Sequence, residues 1–399
     1  MRVVICSDSD SPNEMLRDAL TLRGALAGRG HLVHFIIGDP VALVDQAGSW
    51  IPSNIHQSPV LKPPPQLVMK RPPVDGLADA MAAAGFDDKR ILLTLAAVWR
   101  DQLGLLQPDV IVAFGAPVAW LVGPTIAPTL AIGSGIALPP VLGTSFPRLS
   151  ADSVELADER VMLANANAVL ARFGKPSLSA LSEVVSNCST LLYGLPTLDP
   201  YLQLRRSVTV GALGPIRPPV VPAPEKRVVA FLDAYCPGIE TVILAFPALG
   251  YVRLDVHITR ATSGMRRFLE QQPGVEIWAD HGELLEQAGG ARLIVHHGDQ
   301  DIAQSAICGG QPQLLFPWTR QQEILTYMIG WMGVIRTQAS TGSIAQISET
   351  MRSVLQDSSL IIAAQHHARQ FSQVGIPNVL PVIVERVEGM PARGAGLPV

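Results

Sequence analysis

Charge is scarce in this chain, and neither sign dominates it. Of 399 residues only 16% are charged, and the formal net charge is −4. A nucleic-acid-binding protein would usually carry a basic face, so this balance argues against one. Cysteine is scarcer still. Cys6, Cys188, Cys236 and Cys308 are dispersed and form no C-x-x-C pair, a spacing that suits buried, reduced thiols better than a disulfide framework. An uninterrupted apolar run is also missing. Residues 110–147 carry no charge, but Pro117, Pro124, Pro128, Pro139 and Pro140 break them up, as do Gly115, Gly123, Gly133 and Gly135. No span approaches the ~20 residues that a bilayer-crossing helix needs. Residues 1–6 enter a strand directly, without the charged-then-apolar pattern of a secretory leader. Short repeats, heptads and low-complexity blocks are absent as well. Together these absences predict a soluble cytoplasmic protein.

What is present is apolar and evenly spread. Hydrophobic residues make up 48% of the chain, enough for each half to bury a core, and this length favours two domains, since single cores seldom grow past ~250–300 residues. Residues 2–6 read as a buried strand. Ser11-Pro12-Asn13-Glu14 then reads as a helix start, with Ser11 accepting from first-turn amides, Pro12 at the first helical position and Glu14 reaching back. Leu16, Ala19, Leu20, Leu22 and Leu26 follow at helical spacing, and residues 28–30 end the helix. A second strand over 31–37 closes a β-α-β unit, which implies a parallel sheet. Residues 50–73, rich in proline and polar residues, read as an irregular excursion. A helix over 90–106 and strands over 109–113 and 129–132 complete the first half.

Residues 211–227 (GALGPIRPPVVPAPEKR) form the clearest linker, because their prolines hold the chain extended. A second α/β series follows, with strands over 228–232, 252–258, 275–278 and 292–295 and helices over 239–249 and 282–288. The predicted division is a first lobe over 1–212, a linker over 213–227, a second lobe over 228–375, and a C-terminal segment with a flexible tail over 376–399. A ligand is expected between the lobes, outside the carboxyl ends of the strands.

One stretch carries the most chemistry: WADHGELLEQAGGARLIVHHGDQDIAQSAICGGQPQLLFPWTRQQ, from Trp278 through Gln321 to Gln322. It holds a strand, His296-His297-Gly298 at its carboxyl end, an apolar-periodic helix, Gly310-Gln311-Pro312, and a second strand. This order resembles the nucleotide-sugar-binding block of the UDP-glycosyltransferase superfamily, as found in bacterial natural-product enzymes, and has the same length. Arg29-Gly30-His31, Pro108-Asp109-Val110 and the Ile132–Pro140 loop are similar to further family segments. The resemblance implies the α/β GT-B fold, with two Rossmann-like lobes whose parallel sheets face a central cleft. Acceptor would bind the first lobe and nucleotide-sugar donor the second, with no metal or other cofactor. The implied function is sugar transfer, with inversion, to a hydroxyl of a small hydrophobic acceptor. A homodimer is compatible with it.

Site residues follow from the same resemblance. Trp278 matches the tryptophan that stacks on the nucleobase. His296 matches the histidine that donates to the diphosphate, and His297 and Gly298 complete the bacterial H-H-G. Gln304 stands where the family bonds both ribose hydroxyls, and Gln321 where it holds the donor sugar. The departures are as definite. Asp299, Gln300 and Asp301 replace small residues that let phosphate approach the backbone. At ~5 Å and an effective dielectric of ~20, each carboxylate–phosphate charge pair costs about 3 kcal/mol. The two acids could instead cap the helix that follows. Arg320 replaces the acid beside Gln321, and its forked donors would suit a carboxylate or phosphate.

The catalytic base is expected in the loop after the first strand. Asp10 is the first candidate and Asp8 the alternate, although solvated or capping acids would look the same in sequence. Residues 118–122 are expected to supply an apolar acceptor wall. Two further readings stay open: a non-catalytic GT-B relative acting as a binding subunit, which Asp299, Asp301 and Arg320 would fit, and a nucleotide-sugar epimerase.

Overall fold

The computed structural model describes residues 1–7, 13–47, 53–59, 76–149, 158–206, 211–214, 216, 219, 227–250 and 252–391. The chain divides into two compact units. One comprises Met1–Pro40, Pro52–Leu213 and Val379–Val399; the other comprises Val41–Ile51 and Gly214–Asn378. The segment 41–51 therefore groups with the second unit, and the C-terminal segment groups with the first. Among the described residues, no helix is long and apolar enough to cross a membrane.

In the first unit, β1 (Arg2–Ser7), β2 (Leu32–Ile37), β3 (Ile55–Gln57), β4 (Val110–Phe114), β5 (Thr129–Gly133) and β6 (Ser189–Leu192) form one sheet. Their order is β3-β2-β1-β4-β5-β6, and every pairing is parallel. β4 and β5 are buried at every position, as strands covered on both faces should be. The helix Lys89–Leu106 starts where the Asp88 carboxylate accepts from the Arg90 and Ile91 amides at 2.8 and 3.1 Å. It buries Leu92, Ala96, Trp99 and Leu103 in the same core as Val4, Ile36 and Ile111. The last helix, Leu380–Glu388, is tied to this unit through Glu388, which accepts from Arg29 at 2.7 Å and pairs with His31 at 2.8 Å.

The second unit repeats the plan. β7 (Arg227–Asp233), β8 (Arg253–Thr259), β9 (Val275–Ile277), β10 (Leu293–His296), β11 (Gln313–Leu315) and β12 (Ile335–Thr337) stand in the order β12-β11-β10-β7-β8-β9. Each sheet thus reverses direction beside its own first strand, between β1 and β4 and between β7 and β10. Such a reversal opens a crevice beyond the carboxyl ends of the strands, where ligands of this architecture bind.

The expected strands are all found, and three more with them: β3, β6 and β12. All three are sheet edges. β3 and β12 are only three residues long, and β6 is only partly buried, so none carries the apolar run that marks a central strand. Residues 50–73 are consequently not all irregular, because β3 lies within them.

Candidate functional site

The crevice of the second sheet is lined by the residues that end β7, β8 and β10. His296, the last residue of β10, is fully buried. Its Nδ1 accepts from the Gly298 amide at 3.1 Å, which leaves Nε2 protonated to donate to Gln313 Oε1 at 2.9 Å. His297 is 2% exposed. Its Nδ1 donates to the Phe316 carbonyl at 2.9 Å, and its Nε2 accepts from the Asp233 amide at 2.9 Å. The two rings are thereby held in opposite tautomers. All four nitrogens are engaged with protein groups, so both histidines are set into the framework of the crevice.

Gly298 turns the chain from β10 into the helix Gln300–Gly309. Its φ is +105°, a region that costs a side chain dearly. A Cβ there would also stand 3.1 Å from the Gln322 carbonyl and from Thr326 Oγ1. Asp299 occupies the N-cap position of that helix, yet its carboxylate accepts from none of the helix amides. It receives the Gln322 side-chain amide instead, at 3.4 Å. Gln322 in turn closes a capping box with Thr319 at the start of the helix Arg320–Gly330. Gly298, Asp299 and Gln322 thus bring the starts of two helices together. The capping alternative for the acids applies to backbone position only.

The remaining expected residues are placed as follows. Trp278 follows β9, half-buried, packed against a cluster that includes Phe231, Leu284, Ile294 and Ile302. Its indole Nε1 is buried without a hydrogen-bond partner. Gln300 and Gln304 are buried on the helix Gln300–Gly309, and Asp301 is half-buried in its first turn. The Gln304 Oε1 is likewise buried without a partner. Arg320 pairs with Glu323 on its own helix at 3.1 Å, and Gln321 beside it is half-buried. Asp8, Asp10 and the Ser11 cap lie outside the described residues.

One expectation is corrected. The helix Pro117–Val122 is buried along its whole length, within the core shared by Ile111, Trp99 and Val185. Its apolar run answers to packing. A depression of about 890 Å³ does open in the first unit, lined by Asp79, Phe146, Arg148, Glu159, Arg160 and Leu181 among others. It includes none of the expected site residues among the described ones.

Sequence reasoning missed a charged cluster at the same strand ends. Asp233, the last residue of β7, pairs with the Arg260 guanidinium directly after β8. Arg260 also lies over the Tyr235 ring, with Cζ 4.3 Å from its centroid. This non-glycine residue has a φ of +58°, and its amide donates to Asp45 at 2.9 Å. The available signal was positional: a polar residue closing or following an apolar strand in the second series. In the first unit a comparable lock was also missed. Asp199 and Arg205, both nearly inaccessible, form an ion pair, and Arg205 donates to the Gly135 and Leu138 carbonyls at 2.8 Å. The loop after β5 is held by that arginine.

No protein-family model matches the chain, and no curated protein matches it in sequence. Solved structures do match in fold. The chain is similar to the glycosyltransferase of kitacinnamycin, with 17% identity and a TM-score of 0.60, over 98% of this chain and 99% of that one. Spinosyn rhamnosyltransferase SpnG complexed with thymidine diphosphate is similar at 14% identity and a TM-score of 0.60, over 98% and 100%. SnogD from Streptomyces nogalater is similar at 17% identity and 0.56, over 97% and 99%. With two six-stranded parallel sheets of matching order and these likenesses over nearly the whole length, the chain has the GT-B fold.

Proposed function

We propose that the chain transfers a sugar from a nucleotide-diphosphate donor to a hydroxyl of a small hydrophobic acceptor, with inversion and without a metal. The observation that carries this reading is Gln304. It is buried, its Oε1 has no partner, and it stands where the resemblance puts the group that holds the ribose. A buried acceptor left unmade costs about 1–3 kcal/mol, which a ribose hydroxyl would recover. Trp278 supports the reading with an aromatic face, half exposed at a strand end, for the nucleobase.

The diphosphate would meet the start of the helix Gln300–Gly309, where Asp299 makes no side-chain cap, since a helix start favours an anion. Arg260 would add positive charge from the end of β8, with Asp233 tempering it. His296 and His297 would act by fixing the Gly298 turn through their hydrogen bonds. Gln300 and Asp301 would flank the phosphates, and Arg320 and Gln321 the sugar. Asp10, or Asp8, would take the proton from the acceptor hydroxyl as it attacks the anomeric carbon and the nucleotide diphosphate departs. A cytoplasmic location is part of the same reading.

A second reading is a GT-B relative that binds without catalysis. Arg320 engaged with Glu323 and the acids Asp299 and Asp301 at the helix start favour it. Titration of the purified chain with UDP, TDP and GDP separates the two, because a ligand at 100 times its Kd stabilises by about 2.7 kcal/mol. Saturable binding of one nucleotide, weakened by about 1–3 kcal/mol in Trp278→Ala, supports the donor site. Donor hydrolysis that disappears in Asp10→Asn supports catalysis. Binding of none of the three would leave the non-catalytic reading in place.

A further inference from the structure

We propose a second site, remote from the reaction assigned above: a divalent transition-metal site formed by His34, His56 and Gln102 in the first unit. His34 lies on β2 and His56 on β3, where His56 pairs in register with Ile36. Two residues apart along paired parallel strands, the histidines share one face of the sheet. Ile36 belongs to the core that also contains Trp99 and Leu103, so that face is the one covered by the helix Lys89–Leu106. The rings are stacked, with centroids 5.8 Å apart and planes inclined by 26°.

What distinguishes the pair is what it lacks. His34 Nδ1 and His56 Nε2 are both buried without a hydrogen-bond partner, and so is Gln102 Oε1. Gln102 is anchored beside them, because its Nε2 donates to the Gln57 carbonyl, one residue from His56, at 2.9 Å. Three such atoms from three neighbouring elements, each buried and unpartnered, are costly unless something meets them. Neutral imidazole is a preferred ligand of zinc, nickel and copper. Burial, the neighbouring His56 and Arg2 all lower the His34 pKa. Arg2 is the opposing charge. Its guanidinium donates to the Leu106 carbonyl at 2.8 Å, and the Asp109 carboxylate accepts its backbone amide. No three His, Cys, Asp or Glu side chains converge on a metal among the described residues. The ion would therefore take two imidazoles and the amide oxygen, with water completing its shell.

The test is a titration of the intact chain, free of any affinity-tag histidines, with Zn²⁺ and Cu²⁺ alone. One equivalent should bind, and the Cu²⁺ electron paramagnetic resonance spectrum should show coupling to two imidazole nitrogens. His34→Gln and His56→Gln should each weaken binding at least tenfold, and Gln102→Leu several-fold, whereas His366→Gln with His367→Gln should change nothing. If a His34 or His56 variant does not fold, the nitrogen count in the wild type decides. Absence of stoichiometric binding, coupling to fewer than two imidazoles, or binding that follows His366 and His367 instead would overturn the proposal. Nucleotide binding does not enter the readout, so this site and the donor site stand or fall separately.

Discussion

The backbone amide of Asp233 donates to Nε2 of His297 across the point where the second sheet reverses, at 2.9 Å. One imidazole therefore ties the end of β7 to the turn after β10, and through its Nδ1 to the Phe316 carbonyl after β11. The second histidine of a pair that resembles a phosphate-binding motif in sequence is, in three dimensions, a clasp between three strand ends.

Replacement of this clasp should be felt first in stability. His297→Leu leaves the Asp233 amide and the Phe316 carbonyl buried and unpaired, at about 1–3 kcal/mol for each group. Urea unfolding should show a loss of about 2–6 kcal/mol in total. An unchanged midpoint accompanied by lost nucleotide binding would instead make His297 a direct ligand contact.

Gly298→Ala should cost about 1–3 kcal/mol, the typical penalty for a side chain forced into a sparsely populated backbone region. The added Cβ meets backbone at the Gln322 carbonyl, which cannot swing away as a long side chain would. The same variant should weaken nucleotide binding, since it shifts the start of the helix Gln300–Gly309. Full stability by thermal unfolding would mean that this turn relaxes more easily than its packing implies.

Asp199→Ala should destabilise the first unit by about 3–5 kcal/mol, because it leaves the Arg205 guanidinium buried without its counter-charge. Removal of both partners in Asp199→Ala with Arg205→Met should recover part of that loss. A double-mutant cycle in guanidinium chloride measures the coupling, and strict additivity would contradict it.

Acid should loosen the C-terminal helix. The hydrogen bond from His31 is the chief cause that lowers the Glu388 pKa, with Arg29 adding to it. A carboxylate depressed in the folded state contributes stability above its unfolded pKa and loses it as pH falls through the folded one. Glu388→Gln should therefore be less stable than the wild type at pH 7, and the difference should vanish in strong acid. A difference independent of pH would exclude the linkage.

At the alkaline end the buried thiols act in the opposite sense. Burial pushes Cys188 and Cys308 up to about 12 and Cys236 up to about 11. The unfolded chain ionises its thiols near ~8.5, the folded chain only much higher, so stability should fall as pH rises between the two. All four cysteines are reduced and buried. In the native protein at pH 8 they should resist a disulfide-exchange reagent, and all should react after denaturation.

Sequence alone determined the class of fold, because central strands of a parallel sheet, covered on both faces, run largely apolar and so announce themselves. β1, β4, β7 and β10 are legible for that reason. Edge strands are half-solvated and short, and β3, β6 and β12 leave no such trace. The site shows the same division. Residue types and spacing placed Trp278, Gly298 and Gln304 in one block, since chain order alone sets that spacing. What each imidazole nitrogen bonds, that Arg260 reaches Asp233, and that Arg205 holds the loop after β5 depend on groups far apart in the chain. Only the tertiary structure decided those, because hydrogen bonds and ion pairs are set by which strand ends packing makes neighbours.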